Sequence, residues 1–158
     1  MIDAISLKIL KILQKAARIP NIEVARQVGL APSAVLERIR KLERHNIITG
    51  YEVRLNPDRF ARSLVAFVTV KMEKSAGETR VADQLAAIPD VQEVHFVAGT
   101  DAFLVKVRSS DPAALGQLIR DKIKSLAGVS ATRTSIVLST YKETAQIHIE
   151  PGKRHGPG

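Results

Sequence analysis

Six residues in one stretch of the chain have the side chains, at the spacing, to bind a polyanion. Ser33, Ala34, Glu37, Arg38, Lys41 and Arg44 recur at intervals of three and four, which on an α-helix gathers them on one outer face. The first are small and the last are basic. Such a helix suits approach to a duplex tip first. The Ser33 hydroxyl can donate to a phosphate near the helix start. Glu37 and Arg38 fall where base edges are read, and Lys41 and Arg44 can neutralise phosphates further along.

The elements that must position this face are written into residues 21–42, NIEVARQVGLAPSAVLERIRKL. Apolar Val24, Val28, Leu30, Val35 and Ile39 at helical spacings predict two short amphipathic helices, joined at Gly29, where a tight corner needs a positive φ. Ala25 puts a small side chain where the two backbones converge. Pro32 suits the first turn of a helix because its missing N–H has no partner there anyway. Val35, Ile39 and Leu42 form the buried stripe of the second helix. This is helix-turn-helix grammar. Upstream, Ile5, Leu7, Ile9, Leu10, Ile12 and Leu13 make a helix from Ser6 to about Ala17 that packs against the pair, with Asp3 or Ser6 as its N-cap. Downstream, Asn46 can adopt a left-handed helix stop, and Ile48 to Leu55 alternate like a short strand, as in a wing. A plain helical hairpin could carry the same offsets with a merely solvated outer face, so charge distribution has to decide.

The formal net charge is +8, and it is unevenly divided. Residues 1–62 hold 12 Lys and Arg against 6 Asp and Glu, and residues 63–158 hold 12 against 10. The basic excess therefore accompanies the helix-turn-helix, which points to one domain that binds a polyanion and a second that does not. Catalysis finds little support. His45, His95, His148 and His155 are scattered without a metal-ligand spacing, and no phosphate-cradling glycine loop or nucleophile elbow occurs. His95 reads as an ordinary strand residue. No cofactor and no metal are expected, and the six Phe and Tyr residues form no RNA-stacking motif. Cysteine is absent, which fits a reducing compartment. No apolar run is long enough to span a membrane, and Lys8, Lys11 and Lys15 break up the opening segment as no leader peptide would. The expected location is the cytoplasm.

A length of 158 residues accommodates two small domains. After the turn Asn56-Pro57-Asp58-Arg59 the periodicity changes. Residues 63–72 read as a strand, 78–87 as a helix, and 91–98 and 102–108 as a hairpin around Gly99-Thr100-Asp101. A helix then opens at Asp111-Pro112 and runs to Lys124, and residues 130–140 form a last strand. The order βαββαβ is the ferredoxin-like arrangement. The predicted domains are a winged helix-turn-helix at 1–55, a linker at 56–62, a ferredoxin-like domain at 63–142 and a tail at 143–158. Pro151, Gly152, Gly156, Pro157 and Gly158 make the end of that tail read as disordered. The strands are apolar on both faces, with Val65, Phe67 and Val70 beside Leu64, Ala66 and Val68. The face left bare by the two helices is therefore expected to pack on another copy, giving a two-fold dimer.

At this point the chain resembles the leucine-responsive regulatory protein and AsnC (Lrp/AsnC) family of transcription regulators. The resemblance rests on RIPNIEVARQVGLAPSAVLERIRKLERHNIITGYEVRLNP, followed by GTDAF between the middle strands and TRTSIVL in the last, and it covers about residues 3–142. It implies a regulator that binds double-stranded DNA as a homodimer or as a tetramer or octamer, with an amino acid or similar effector bound between subunits. By the resemblance, Gly99, Thr100 and Asp101 of the hairpin loop, with Thr134 and Ser135 of the last strand, are the effector residues. Arg18 and Tyr51 also match family positions, where packing and hydrogen bonding within the winged domain are their expected role. Three departures stand out. Ala31 occupies the place of a capping serine, Pro20 the place of a Ser or Thr with Asn21 left to cap, and Asp101 is one residue early for the acidic position of the loop. The alternative function is a small-molecule sensor that regulates a partner protein through its helical domain; its docking face would be expected to be acidic or neutral.

Overall fold

The structure is a computed structural model that describes residues 2–150. The chain divides into two compact units: residues up to Arg54 together with the segment from Glu143, and Leu55–Lys142.

The first unit contains α1 (Ala4–Lys15), α2 (Asn21–Val28) and α3 (Pro32–Arg44). Asp3 is the N-cap of α1, its carboxylate accepting from the Ser6 N–H at 2.7 Å, so α1 begins two residues earlier than its apolar pattern suggests. Ile9, Leu13, Val24, Ala25, Val35 and Ile39 form the buried core, with Val28, Leu30 and Ile48 against it. Each predicted apolar position of the helix-turn-helix thus faces inward. Gly29 closes α2 in the left-handed region at φ 73°, its N–H donating to the Ala25 carbonyl. Asn46 likewise has φ 53° just after α3. The expected wing strand is absent: residues 48–55 form no strand ladder. Tyr51, Val53 and Leu55 stand exposed there, because an alternating segment becomes a strand only when a second strand offers it hydrogen bonds.

The second unit opens with a 3₁₀ turn at Pro57–Phe60, capped by the Asn56 side chain accepting from the Asp58 N–H. It continues with β1 (Leu64–Met72), α4 (Glu78–Ala86), β2 (Val91–Val97), β3 (Ala102–Ser109), α5 (Pro112–Leu118), a wide π-type turn over Ile119–Ile123, and β4 (Val129–Ile136). The sheet is antiparallel in the order β2-β3-β1-β4, the arrangement expected of βαββαβ. Asp111 caps α5, accepting from the Ala114 N–H at 2.8 Å. Ala66, Val68, Val70, Phe103, Val105 and Val107 line the helix-covered face, packed against Val81, Leu85, Leu115, Leu118 and Ile123.

Register corrects the expected face assignment. Val70 belongs with Ala66 and Val68 under the helices, whereas Val65 and Phe67 lie on the other face with Thr69. That second face is mixed rather than uniformly apolar. Phe67 and Leu104 sit on it, but so does Lys106, only 8% exposed, whose ammonium donates to Glu93 Oε1 at 3.1 Å. Glu93 also meets His95 Nε2 at 3.2 Å, and these bonds hold its carboxyl below the ordinary range. Among the described residues of this unit, no helix covers that face.

Candidate DNA interface and effector site

α3 presents its predicted face to solvent: Ser33, Ala34, Glu37, Lys41 and Arg44 are all exposed, while Val35, Ile39 and Leu42 are buried. The buried stripe fixes how the helix is rolled, and the exposed face follows from it. The cations of this face are not equivalent. Arg38 is half-buried and donates from Nη1 to Asp3 Oδ2 at 2.5 Å and to Ser6 Oγ at 3.2 Å. It ties the middle of α3 to the start of α1. The guanidinium beside Asp3 depresses that carboxyl to about 2. Arg44 pairs with Glu37 at 3.1 Å, both partners well exposed, an ion pair weak enough to exchange for a phosphate.

Lys41 is exposed and makes no ion pair among the described residues, and the same holds for Arg40. Arg40 is not among the six residues read from the sequence as the outer face. Its spacing signalled it, since it lies seven residues after Ser33, three after Glu37 and four before Arg44 on the same side of the helix.

The start of α3 has no side-chain cap: Ala31 occupies the N-cap position with extended backbone, and Pro32 begins the helix. Free N–H groups at such a start form a ready anion site beside Ser33. α2 likewise starts without a side-chain cap. Asn21 is its first helical residue rather than its cap, and Pro20 holds the N-cap position. Tyr51 does the local work expected of it, its hydroxyl donating to Glu43 Oε1 at 2.8 Å beyond the end of α3. Burial and the neighbouring carboxylate raise its ionisation to about 12.

The five expected effector residues do not converge within one chain. Gly99 and Asp101 both take positive φ, 88° and 47°, and the Thr100 hydroxyl donates to the Val97 carbonyl at 3.4 Å, so the hairpin loop is tightly turned. Thr134 and Ser135 lie on β4, opposite Val68 and Phe67 of β1. β3 leads out of the loop, and β1 stands between β3 and β4, so the two groups are separated by roughly 10 Å of sheet. Thr134 and Ser135 also point to opposite faces. A cavity of about 300 Å³ opens instead toward the other end of the sheet, lined by Ser63, Val65, Arg108, Val137, Ser139 and Thr140 among others. Arg108 is engaged there, donating to Gln92 Oε1 at 2.8 Å and to the Arg62 carbonyl at 3.3 Å.

A three-helix unit with a left-handed corner at Gly29 and a basic outer helix, on the same chain as a βαββαβ unit, defines a two-domain helix-turn-helix protein. The family comparisons agree over both parts. A winged helix-turn-helix DNA-binding model matches residues 2–49, and the Lrp/AsnC ligand binding domain matches residues 65–147. The chain is 37% identical to the leucine-responsive regulatory protein of Salmonella typhimurium, over 94% of this chain and 92% of that one. It is 35% identical to the protein of the same name from Escherichia coli, with the same coverage. Among solved structures it is similar to a transcriptional regulator from Neisseria meningitidis in complex with L-Met, with a TM-score of 0.87 at 29% identity, covering 94% of this chain and 97% of that one. Escherichia coli AsnC shares the fold, with a TM-score of 0.85 over 92% of this chain and 98% of that one. The chain belongs to the Lrp/AsnC family of transcription regulators. Among the described residues, no helix is long and apolar enough to cross a membrane.

Proposed function

We propose that the chain is a cytoplasmic, non-enzymatic regulator that reads duplex DNA with α3 as a homodimer or higher oligomer, and that an amino acid tunes this binding from the βαββαβ domain. The observation that carries the reading is the outer face of α3, with Ser33 and Ala34 at its uncapped start and Lys41, Arg40 and Arg44 along its length. In this assignment Arg38 holds α3 at its angle to α1 and reaches the DNA only through that positioning. Glu37, Ser33 and Ala34 sit nearest base edges, and Lys41, Arg40 and Arg44 bind phosphates. The basic face favours DNA over a protein partner as the target.

One observation supports an oligomer, and the effector assignment depends on it. The sheet keeps Phe67 and Leu104 on a face that no helix of its unit covers; the five effector residues, which do not meet within one chain, are assigned to a site shared between two copies. L-Met is the bound amino acid in the Neisseria meningitidis relative, which makes it the first effector to test. Fluorescence anisotropy on a duplex selected for binding should show affinity falling steeply with salt. Lys41→Ala should weaken binding and flatten the salt slope by about 1. Affinity that is insensitive to salt would overturn the assignment.

A further inference from the structure

The segment after β4 returns to the DNA-binding unit and is held there by a specific set of hydrogen bonds. Gln14, near the C-terminal end of α1, uses its side-chain amide at both ends: Oε1 accepts from the Ile147 N–H at 2.8 Å, and Nε2 donates to the Ile147 carbonyl at 3.1 Å. This is the pairing one strand offers another, made by a side chain. Gln146 Nε2 in turn donates to the Gln14 carbonyl at 2.7 Å, one of the last carbonyls of α1, for which the helix provides no partner. At the end of the first unit, Arg54 Nη2 donates to the Glu143 carbonyl at 3.1 Å. Two stretches of the chain thus lie side by side where it leaves this unit, at Arg54, and where it re-enters, at Glu143.

The contacts are polar and mostly exposed, and Ile147 itself is 72% exposed. Burial of Ile147 does not hold the segment; the bonds to Gln14 fix its position, with Ile149 half-buried just beyond them. A contact of this kind is reversible, because water can replace each bond at little cost. The segment is also continuous with β4, the strand that carries Thr134 and Ser135.

We propose that residues 143–150 are a releasable strap, docked on α1 through Gln14, that gives the DNA-binding unit a second tether to the ligand-binding unit. On the reading above, in which an amino acid binds beside β4, the strap is also the route by which that strand acts on the DNA-binding helices. A single chain crossing, between Arg54 and Leu55, would leave the helical unit free to reorient. Two tethers restrict it, and releasing one restores the freedom.

The test uses the full chain and its Gln14→Ala variant. Alanine is the better helix former and Gln14 is only half-buried, so α1 persists while the strap loses its two bonds to the Gln14 side chain and keeps only that of Gln146 to the Gln14 carbonyl. Amide hydrogen exchange should find the Ile147 N–H slowed in the native chain, and about tenfold less protected in the variant, as loss of two bonds on an exposed segment implies. Trypsin should cut faster in the variant at Arg54, where the chain leaves the unit and the side chain bonds to the strap. With L-Met as the probe, the native chain should change its DNA affinity, and the variant should lose most of that change while its affinity without L-Met stays within about twofold. An Ile147 amide that exchanges as fast as in an unfolded peptide overturns the strap, as does a variant with native exchange and cleavage. If the native chain ignores L-Met, methionine is ruled out as its effector, and the strap is then decided on exchange and proteolysis. If the native chain responds and a strap-released variant responds equally, the strap is not the route.

Discussion

At the scale of single residues, α3 separates cations left exposed to solvent from a cation that builds the fold. Arg38 looks from its spacing like a member of the outer face, yet its guanidinium is bound to Asp3 and Ser6. A partner 35 positions away leaves no local mark in the sequence, so this pairing was not legible there, whereas Asp3 as a helix cap was. Asp3→Asn tests the charge while keeping a competent cap. The folded carboxyl, at about 2, lies below its ordinary 3.8. The pair therefore stabilises fully at pH values above the ordinary one and loses that contribution as pH falls from about 4 toward about 2. Allowing for solvent screening of a half-exposed pair, Asp3→Asn should cost about 1 kcal/mol in urea unfolding at pH 7. The difference should shrink toward zero near pH 2. Arg38→Ala should weaken DNA binding and lower stability together, while Lys41→Ala should weaken binding with stability unchanged within about 0.5 kcal/mol.

At the scale of elements, local chemistry was well written into the chain. Gly29, Asp111-Pro112 and the apolar stripe of α3 each dictate a turn, a start or a buried face without help from distant residues, and each is found where expected. The wing was not legible in the same way, since its alternation needs a pairing partner that the single chain does not supply. The missing cap at Ala31 offers a direct test. Its backbone, at φ −69° and ψ 147°, already has the N-cap conformation, so Ala31→Ser should add about 1 kcal/mol and raise the thermal midpoint of the helical unit. Gly29→Ala meets no neighbouring atom within 4 Å, yet must hold φ 73°. It should cost about 1 kcal/mol through backbone strain alone, measured by the same thermal unfolding.

At the scale of the whole molecule, the charge split between the two halves was legible, and so was the sheet face that the two helices leave open. The composition of that open face was only partly so, because patterning counts apolar residues and cannot foresee that Lys106 is buried beside Glu93. Light scattering at micromolar concentration should find a dimer or a larger assembly. Leu104→Asp, a charge in the middle of the open face, should shift it toward monomer while α4 and α5 keep their packing. A native chain that runs as a monomer would remove the basis for assembling the effector residues from two copies.

The bonds between Gln14 and Ile147, 133 positions apart, make the DNA-binding unit discontinuous in the chain. During synthesis the three helices and their core emerge first and can fold at once, since their contacts are local. The strap emerges only after the entire βαββαβ domain. A nascent chain therefore carries a folded helical unit before the proposed strap is available to dock on it.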